Sequence, residues 1–253
     1  MLVAERRELL LNRLRTEGKL VATELARELA VSEDSVRRDL RELAAAGLCQ
    51  RVYGGALPLS PALADYGARR EVEPESKHRV AARAARLIRP GDRVIIDGGT
   101  TTLAVVRALP PDLRATVITH SPTIAAALLD HPGIETLLIG GRIYRHSAVA
   151  CGAAAAEAAQ AVSADLFLLG VTGVHPREGL TTGDAEEAAM KRCLAGRAAD
   201  TYVLASKEKI GAAGPYTVMP LGDVAGVITD TPADDPTVLE LKRAGVTIVT
   251  ARS

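Results

Sequence analysis

From residue 76 onward, short apolar runs alternate with stretches of helical period. RVIID, TVITH, ETLLIGG, ADLFLLGV, TYVLAS, DVAGVITD and VTIVT are separated by segments such as KHRVAARAARLI, TLAVVRAL, PTIAAALLD, AEEAAMKRCLAGRA and PTVLELKRAG. This alternation constrains the fold more than any other feature of the chain. A strand buried on both faces reads as a continuous apolar run, and strands separated by helices run parallel in one sheet. The region therefore predicts an α/β domain with a mostly parallel sheet. Ser121 followed by Pro122 reads as a helix cap with proline in the first turn. The alanine-rich ACGAAAAEAAQAV reads as a further helix.

Residues 1–47 carry helical patterns only. Leu9, Leu10, Arg13 and Leu14 follow a helical period closed by Gly18. Thr23 reads as the cap of a second helix, 22–30. After a tight turn at Val31 and Ser32, Ser32 caps a third, 33–47, whose inner stripe is Val36, Leu40 and Leu43 and whose first turn holds Glu33 and Asp34. LCQRVYGGAL then alternates around a glycine pair, as a hairpin or wing does. LPLSPALADYGARREVEP, with Pro58, Pro61 and Pro74, reads as a linker. The expected division is a helical domain over 1–56, a linker over 57–75 and an α/β domain over 76–253.

Charge narrows the function classes. Lys plus Arg and Asp plus Glu each total 31 in 253 residues, so the formal charge is zero, which excludes a protein that coats nucleic acid along its length. Five Tyr, one Phe and no Trp leave little surface for stacking single-stranded bases. DNA recognition here has to be local and act on duplex. No secretory leader pattern and no long apolar run is present, and Cys49, Cys151 and Cys193 lie far apart without metal-ligand spacing. These features predict a reducing, cytoplasmic location, no membrane association, no metal and no cofactor.

Two short helices joined by a tight turn can place the second in the major groove. On helix 33–47, Ser35, Arg37, Arg38 and Arg41 project away from the apolar stripe, where arginines can reach guanine edges or phosphates. The competing reading is a solvated helix whose arginines pair with Asp39 and Glu42, because residues 1–60 hold ten basic and nine acidic side chains. The run VSEDSVRRDLRELAAAGLCQRVYGGA decides between them. It resembles the N-terminal winged helix-turn-helix of the DeoR family of bacterial transcription regulators, and the resemblance reaches back through VATELARELA and RRELLLNRL. Ser35 stands where the family has Thr, Cys49-Gln50 replace a more basic or apolar pair, and Tyr53 stands for His. The resemblance implies a DNA-contacting set of Thr23, Ser32, Ser35, Arg37, Arg38, Arg41, Arg51, Tyr53, Gly54 and Gly55.

IIDGGTTT lies between a strand and a helix. Gly98 and Gly99 permit close backbone approach, the helix start supplies free N–H groups, and Thr100, Thr101 and Thr102 add hydroxyls, a combination suited to phosphate. A plain strand–helix turn is the alternative. VITHSPTIAAAL, LLIGGRIYRHS, DLFLLGVTGVHPREGLTTGDAEEAAMKR and LASKEKIG follow in the order of the same family's sensor domain, which resembles ribose-5-phosphate isomerase in fold. That resemblance implies an effector site of Asp97, Gly98, Gly99, Thr100, Thr101, Thr102, His120, Ser121, Gly140, Gly141, Arg142, Thr172, Gly173, Glu187, Lys191 and Lys209. His120 stands where the family has Asn, and Ser206 where it has Asp.

An isomerase would need a carboxylate base beside the sugar carbon. Residues 170–174 contain none, while Asp97, Asp184 and Glu187 remain as candidates. The sequence thus supports a non-enzymatic regulator, a repressor of a sugar operon with duplex operator DNA, a phosphorylated sugar or related effector and a second copy or more of itself as partners. The alternative is a sugar-phosphate isomerase-like enzyme with an added helical domain.

Overall fold

A computed structural model describes residues 1–251. Three helices open the chain: α1 (Val3–Glu17), α2 (Ala22–Glu28) and α3 (Glu33–Ala45). Leu10, Leu14, Leu25, Val36, Leu40 and Leu43 meet in one apolar core, which Cys49 joins as a small hydrophobe. Gly18 ends α1 at φ +71°, a left-handed conformation that glycine adopts without strain. Gln50–Val52 and Gly55–Leu57 form a hairpin, and Leu20–Val21 pairs with its second strand to complete a small antiparallel wing.

The helix boundaries depart from the sequence reading. Thr23 is not the cap of α2: Val21 runs from the wing straight into the helix, and the Ala22 N–H donates to the Gly54 carbonyl at 2.8 Å. The wing turn supplies the partner that a capping side chain would have given. Helix α2 stops at Glu28 and Ala30 turns left-handed at φ +50°, while α3 stops at Ala45 with Gly47 beyond it at φ +68°. Asp39, expected to pair along its own helix, is buried and accepts from α1 instead, from Arg6 Nε at 2.5 Å and Arg7 Nε at 3.1 Å.

The segment read as an open linker is structured. It continues the wing strand to Leu57, makes a short turn at Pro61–Leu63 capped by Ser60 and a four-residue helix at Tyr66–Arg69 capped by Asp65, and enters the helix Pro74–Ala85. Leu59 bridges to Ala213, and the Ser60 hydroxyl donates to the Thr172 carbonyl at 2.5 Å. These ties, with Ala62 and Arg69 buried, turn the segment into a strap across the second domain.

That domain is built on seven parallel strands. In spatial order they are Ile248–Thr250, Gly226–Thr229, Ala198–Leu204, Ala164–Gly170, Arg93–Ile96, Ala115–Thr119 and Ile134–Leu138. Alternate side chains feed two cores. Val94, Ile96, Leu166 and Leu168 pack under the helices Pro74–Ala85, Thr100–Arg107 and Pro122–Leu128. Ile95, Phe167 and Leu169 pack under Ala153–Gln160 and Ala185–Ala195. Strand order reverses between Arg93–Ile96 and Ala164–Gly170, which leaves a crevice beyond their C-terminal ends, where ligands bind in open α/β sheets.

Two antiparallel additions were not legible as such. Arg142–Tyr144 pairs with Val149–Cys151, and Gly173–His175, Gly179–Thr182 and Tyr216–Met219 form a small sheet. The first shortens the expected alanine-rich helix: Val149–Cys151 is a strand, Gly152 turns at φ +94°, and the helix starts at Ala153. Ser121 precedes its helix without capping it, because its hydroxyl meets Thr123 Oγ1 and the Ala148 carbonyl. Among the described residues no helix is long and apolar enough to cross a membrane.

Candidate nucleic-acid interface and effector pocket

Helix α3 offers a polar outer face. Ser32 caps it by accepting from the Ser35 N–H, and its hydroxyl also meets that of Ser35 at 2.8 Å. Arg37 pairs with Glu33 on the same helix at 2.5 Å, whereas Arg38 and Arg41 are exposed and enter no ion pair among the described residues. At the wing, Arg51 is exposed, Tyr53 projects fully into solvent at the tip and Gly54 makes the turn at φ +79°. Thr23 is exposed on α2. Gly55 is a correction to the expected contact set. It is buried, and a Cβ there would stand 1.8 Å from the Leu20 carbonyl oxygen, so this glycine lets the wing close and faces no partner.

The crevice at the switch point holds the second site. Gly98 and Gly99 follow the strand Arg93–Ile96, and the helix Thr100–Arg107 begins at the cavity, which Thr100, Thr101 and Thr102 line. A Cβ on Gly98 would lie 2.1 Å from Val149 Cγ1, and Gly99 sits at φ +137°, so neither position accepts a side chain. The pocket, about 430 Å³ including its open mouth, is lined by this loop, Thr172, Thr182, Glu187, Lys191, Glu208 and Lys209, and on its other side by Ala62, Arg69, Val72 and Lys77.

Beneath the floor lies a buried charge cluster. Asp97 accepts from Lys191 Nζ at 2.5 Å, His120 Nε2 at 2.8 Å, and the N–H groups of Gly98 at 2.8 Å and Gly170 at 2.9 Å. Burial opposes its charge, but Lys191 and His120 outweigh that penalty and hold the carboxyl at about 2. Lys191 also reaches the Gly170 carbonyl at 3.0 Å and Glu187 at 3.3 Å. Glu187 accepts in turn from Thr182 and Ser147. Lys209 has a different setting. Its Nζ donates to Thr101 Oγ1 at 2.9 Å, and burial, aided by Lys77, Arg69 and Lys191 nearby, lowers its pKa to about 8.

A family model described as the DeoR C terminal sensor domain matches residues 72–231, and one described as the DeoR-like helix-turn-helix domain matches residues 6–61. The chain is 32% identical over 251 residues to the HTH-type transcriptional regulator GlpR of Haloferax volcanii, covering 98% of each. The chain belongs to the DeoR family. A putative aga operon transcriptional repressor of Escherichia coli O157:H7 is 30% identical, with 97% of this chain and 93% of that one covered. Among solved structures, a ribose 5-phosphate isomerase of Methanocaldococcus jannaschii aligns at 16% identity over 54% of each chain, with a TM-score of 0.41.

As a DeoR-family protein the chain is a transcriptional regulator, and the three carboxylates that could have served an isomerase are engaged elsewhere. Asp97 is filled with donors, Glu187 is held by Lys191, Thr182 and Ser147, and Asp184 caps its helix by accepting from the Glu187 N–H at 2.9 Å. None of the three faces the cavity as a free proton acceptor.

The expected effector residues fall into three groups. Gly98 to Thr102, Thr172, Glu187, Lys191 and Lys209 line the pocket. Asp97, His120 and Ser121 lie fully buried behind its wall. His120 bridges Asp97 to the Ala150 carbonyl and so ties the loop to the neighbouring strand. Gly140, Gly141 and Arg142 are exposed and away from it, with Arg142 paired to Glu186 at the surface, and Gly173 packs against the Ala212 carbonyl, where a Cβ would come within 2.3 Å. Arg69, Lys77 and Glu208 were missed. Two of them come from or beside the segment read as linker, whose local signs of order are Ser60 capping Pro61–Leu63 and Asp65 capping the turn before Arg69.

For the DNA face, Arg38→Ala is expected to weaken operator binding by about 1–3 kcal/mol, roughly 5- to 150-fold. Arg37→Ala should cost less, since Glu33 already neutralises that side chain. Fluorescence anisotropy across a salt series reads this directly. A phosphate contact would weaken all sequences alike and flatten the salt dependence.

Proposed function

We propose that this regulator represses a carbohydrate-metabolism operon by binding its operator in the cytoplasm as a homo-oligomer, and that a phosphorylated sugar releases it. The observation that carries the reading is the switch-point pocket. A glycine–threonine loop at a helix start faces Lys209, which suits a phosphate dianion. Repression of carbohydrate genes is consistent with the relative named for the aga operon. Oligomerisation is favoured because one N-terminal domain with nearly balanced charge gains little from counterion release. Two copies would read half-sites one or more helical turns apart. The strand Ile134–Leu138 is an edge of the sheet and exposes Leu137 and Leu138, which leaves a strand edge open to a second copy.

The test is a thermal-shift screen of phosphorylated sugars, each hit then titrated against DNA from upstream of the gene. A hit should lower operator affinity, and Thr101→Val should abolish that response. If Thr101→Val responds as wild type does, the loop is an ordinary turn. Light scattering showing a monomer that binds one half-site tightly would remove the oligomer.

The pH dependence has a definite sign. Lys209 is charged below about 8, so above that value binding a phosphate requires proton uptake, and affinity should fall up to tenfold per pH unit. Below about 6 the phosphate loses its second charge and affinity falls again. Calorimetric titrations from pH 5 to 10 should trace a maximum between the two, and Lys209→Arg should remove the alkaline limb.

A further inference from the structure

Two residues of the pocket lining, Arg69 on the strap and Glu208 on the turn Lys207–Lys209, each carry an unmatched polar atom. Arg69 is 9% exposed, donates from Nη2 to the His146 carbonyl at 2.9 Å, and has a buried Nε with no acceptor. Glu208 bonds Ser206 through Oε1 at 2.7 Å, and its buried Oε2 has no donor. Both residues line the switch-point cavity. Buried polar atoms are nearly always paired, so each orphan needs an explanation. Here one atom needs an acceptor and the other a donor, and a ligand carrying an anionic group and hydroxyls meets both needs at once.

Charge points the same way. Lys191 is matched by Asp97 and Glu187, which leaves Arg69, Lys77 and Lys209 around the cavity with Glu208 as their carboxylate. Lys77 spends a hydrogen bond on the Arg69 carbonyl, which fixes the strap backbone beneath the guanidinium. Burial lowers the pKa of Arg69, of Lys77 and of Lys209, so an entering anion relieves all three.

We propose that Arg69 and Glu208 are the specificity pair of the pocket, Arg69 binding the anionic group of a phosphorylated polyol and Glu208 accepting from one of its hydroxyls. This rests on the reading of the pocket as an effector site and adds the residues and the route. Arg69 is carried by the segment that leaves the wing strand at Leu57 and is stapled to the pocket wall at Ser60 and Thr172. An effector held by Arg69 therefore acts on the strap that positions the DNA-binding domain, giving it unequal affinity for two strap arrangements, which coupling requires.

The experiment uses the full chain with three probes: inorganic phosphate, a panel of pentose and hexose monophosphates, and the corresponding unphosphorylated sugars. Wild type should bind at least one sugar phosphate more tightly than inorganic phosphate, and the free sugar weakly. Arg69→Gln should lose about 10- to 100-fold in affinity for that ester and for phosphate, the range of a charge-assisted hydrogen bond. Arg69→Lys, which keeps the charge without the planar fork, should recover only part of it and carries the test if the glutamine variant is unstable. Glu208→Gln should bring the ester down toward inorganic phosphate while leaving phosphate itself unaffected. If Thr101→Val loses the ester and Arg69→Gln keeps wild-type affinity, the assignment of Arg69 is wrong and the effector pocket stands. If wild type binds none of the phosphates, both are overturned together.

Discussion

Replacing Asp39 with Asn is expected to unfold the DNA-binding domain at physiological temperature while the α/β domain stays folded. Asp39 is 1% exposed and is the acceptor for both Arg6 and Arg7, so the substitution leaves a buried guanidinium facing a neutral amide. Removing one partner of a buried ion pair costs about 3–5 kcal/mol. A domain of this size has little stability in reserve, with folded domains holding only about 5–15 kcal/mol in total. Calorimetry should show an early transition split from the main one, and operator binding should vanish with it. The double variant Arg6→Met/Asp39→Leu tests the cause, since a matched apolar pair can replace a buried ion pair at little cost. Asp39→Asn melting like wild type would show that the arginines are solvated and that α1 is held by Leu10 and Leu14 alone.

Lys191→Met should have a comparable effect on the second domain, with the opposite response to acid. In wild type, Asp97 titrates at about 2 instead of its ordinary 3.8. Its contribution is present above 3.8 and is lost only as pH falls toward 2. Without Lys191 the same carboxylate is fully buried with only the His120 ring and the Gly98 and Gly170 N–H groups as partners, and the domain should lose about 3–5 kcal/mol at pH 7. Burial then drives its pKa up, so protonation relieves the strain and the variant should melt higher at pH 5 than at pH 7. Asp97→Asn/Lys191→Met should remove that pH response. A single variant with wild-type melting at both pH values would mean that water reaches Asp97 and that the pocket floor is not sealed.

Local patterns carried much of this architecture. The stripe Val36, Leu40 and Leu43 in α3, the Gly18 stop, the Ser32 cap, the glycine wing and the alternation of apolar runs with helices all act within a few residues, and each has the expected structural consequence. The glycine–threonine loop was equally legible as a turn, because an apolar strand pattern precedes it and a helical pattern follows it.

What the sequence could not determine depends on partners far along the chain. Asp39 looked like a helix-surface acid until α1, more than thirty residues earlier, delivered Arg6 and Arg7 to it. Thr23 lost its cap role to a wing carbonyl, and Gly55 was claimed by the Leu20 backbone. The resemblance implied Gly140, Gly141 and Arg142 in the effector site, yet they face solvent, while Arg69, from a stretch that reads as linker, lines the pocket. The physical reason is the same in each case. Propensity and periodicity act over one or two turns of chain, whereas a buried charge is assigned its partner by whichever element packs against it, and that was decided by the tertiary fold alone.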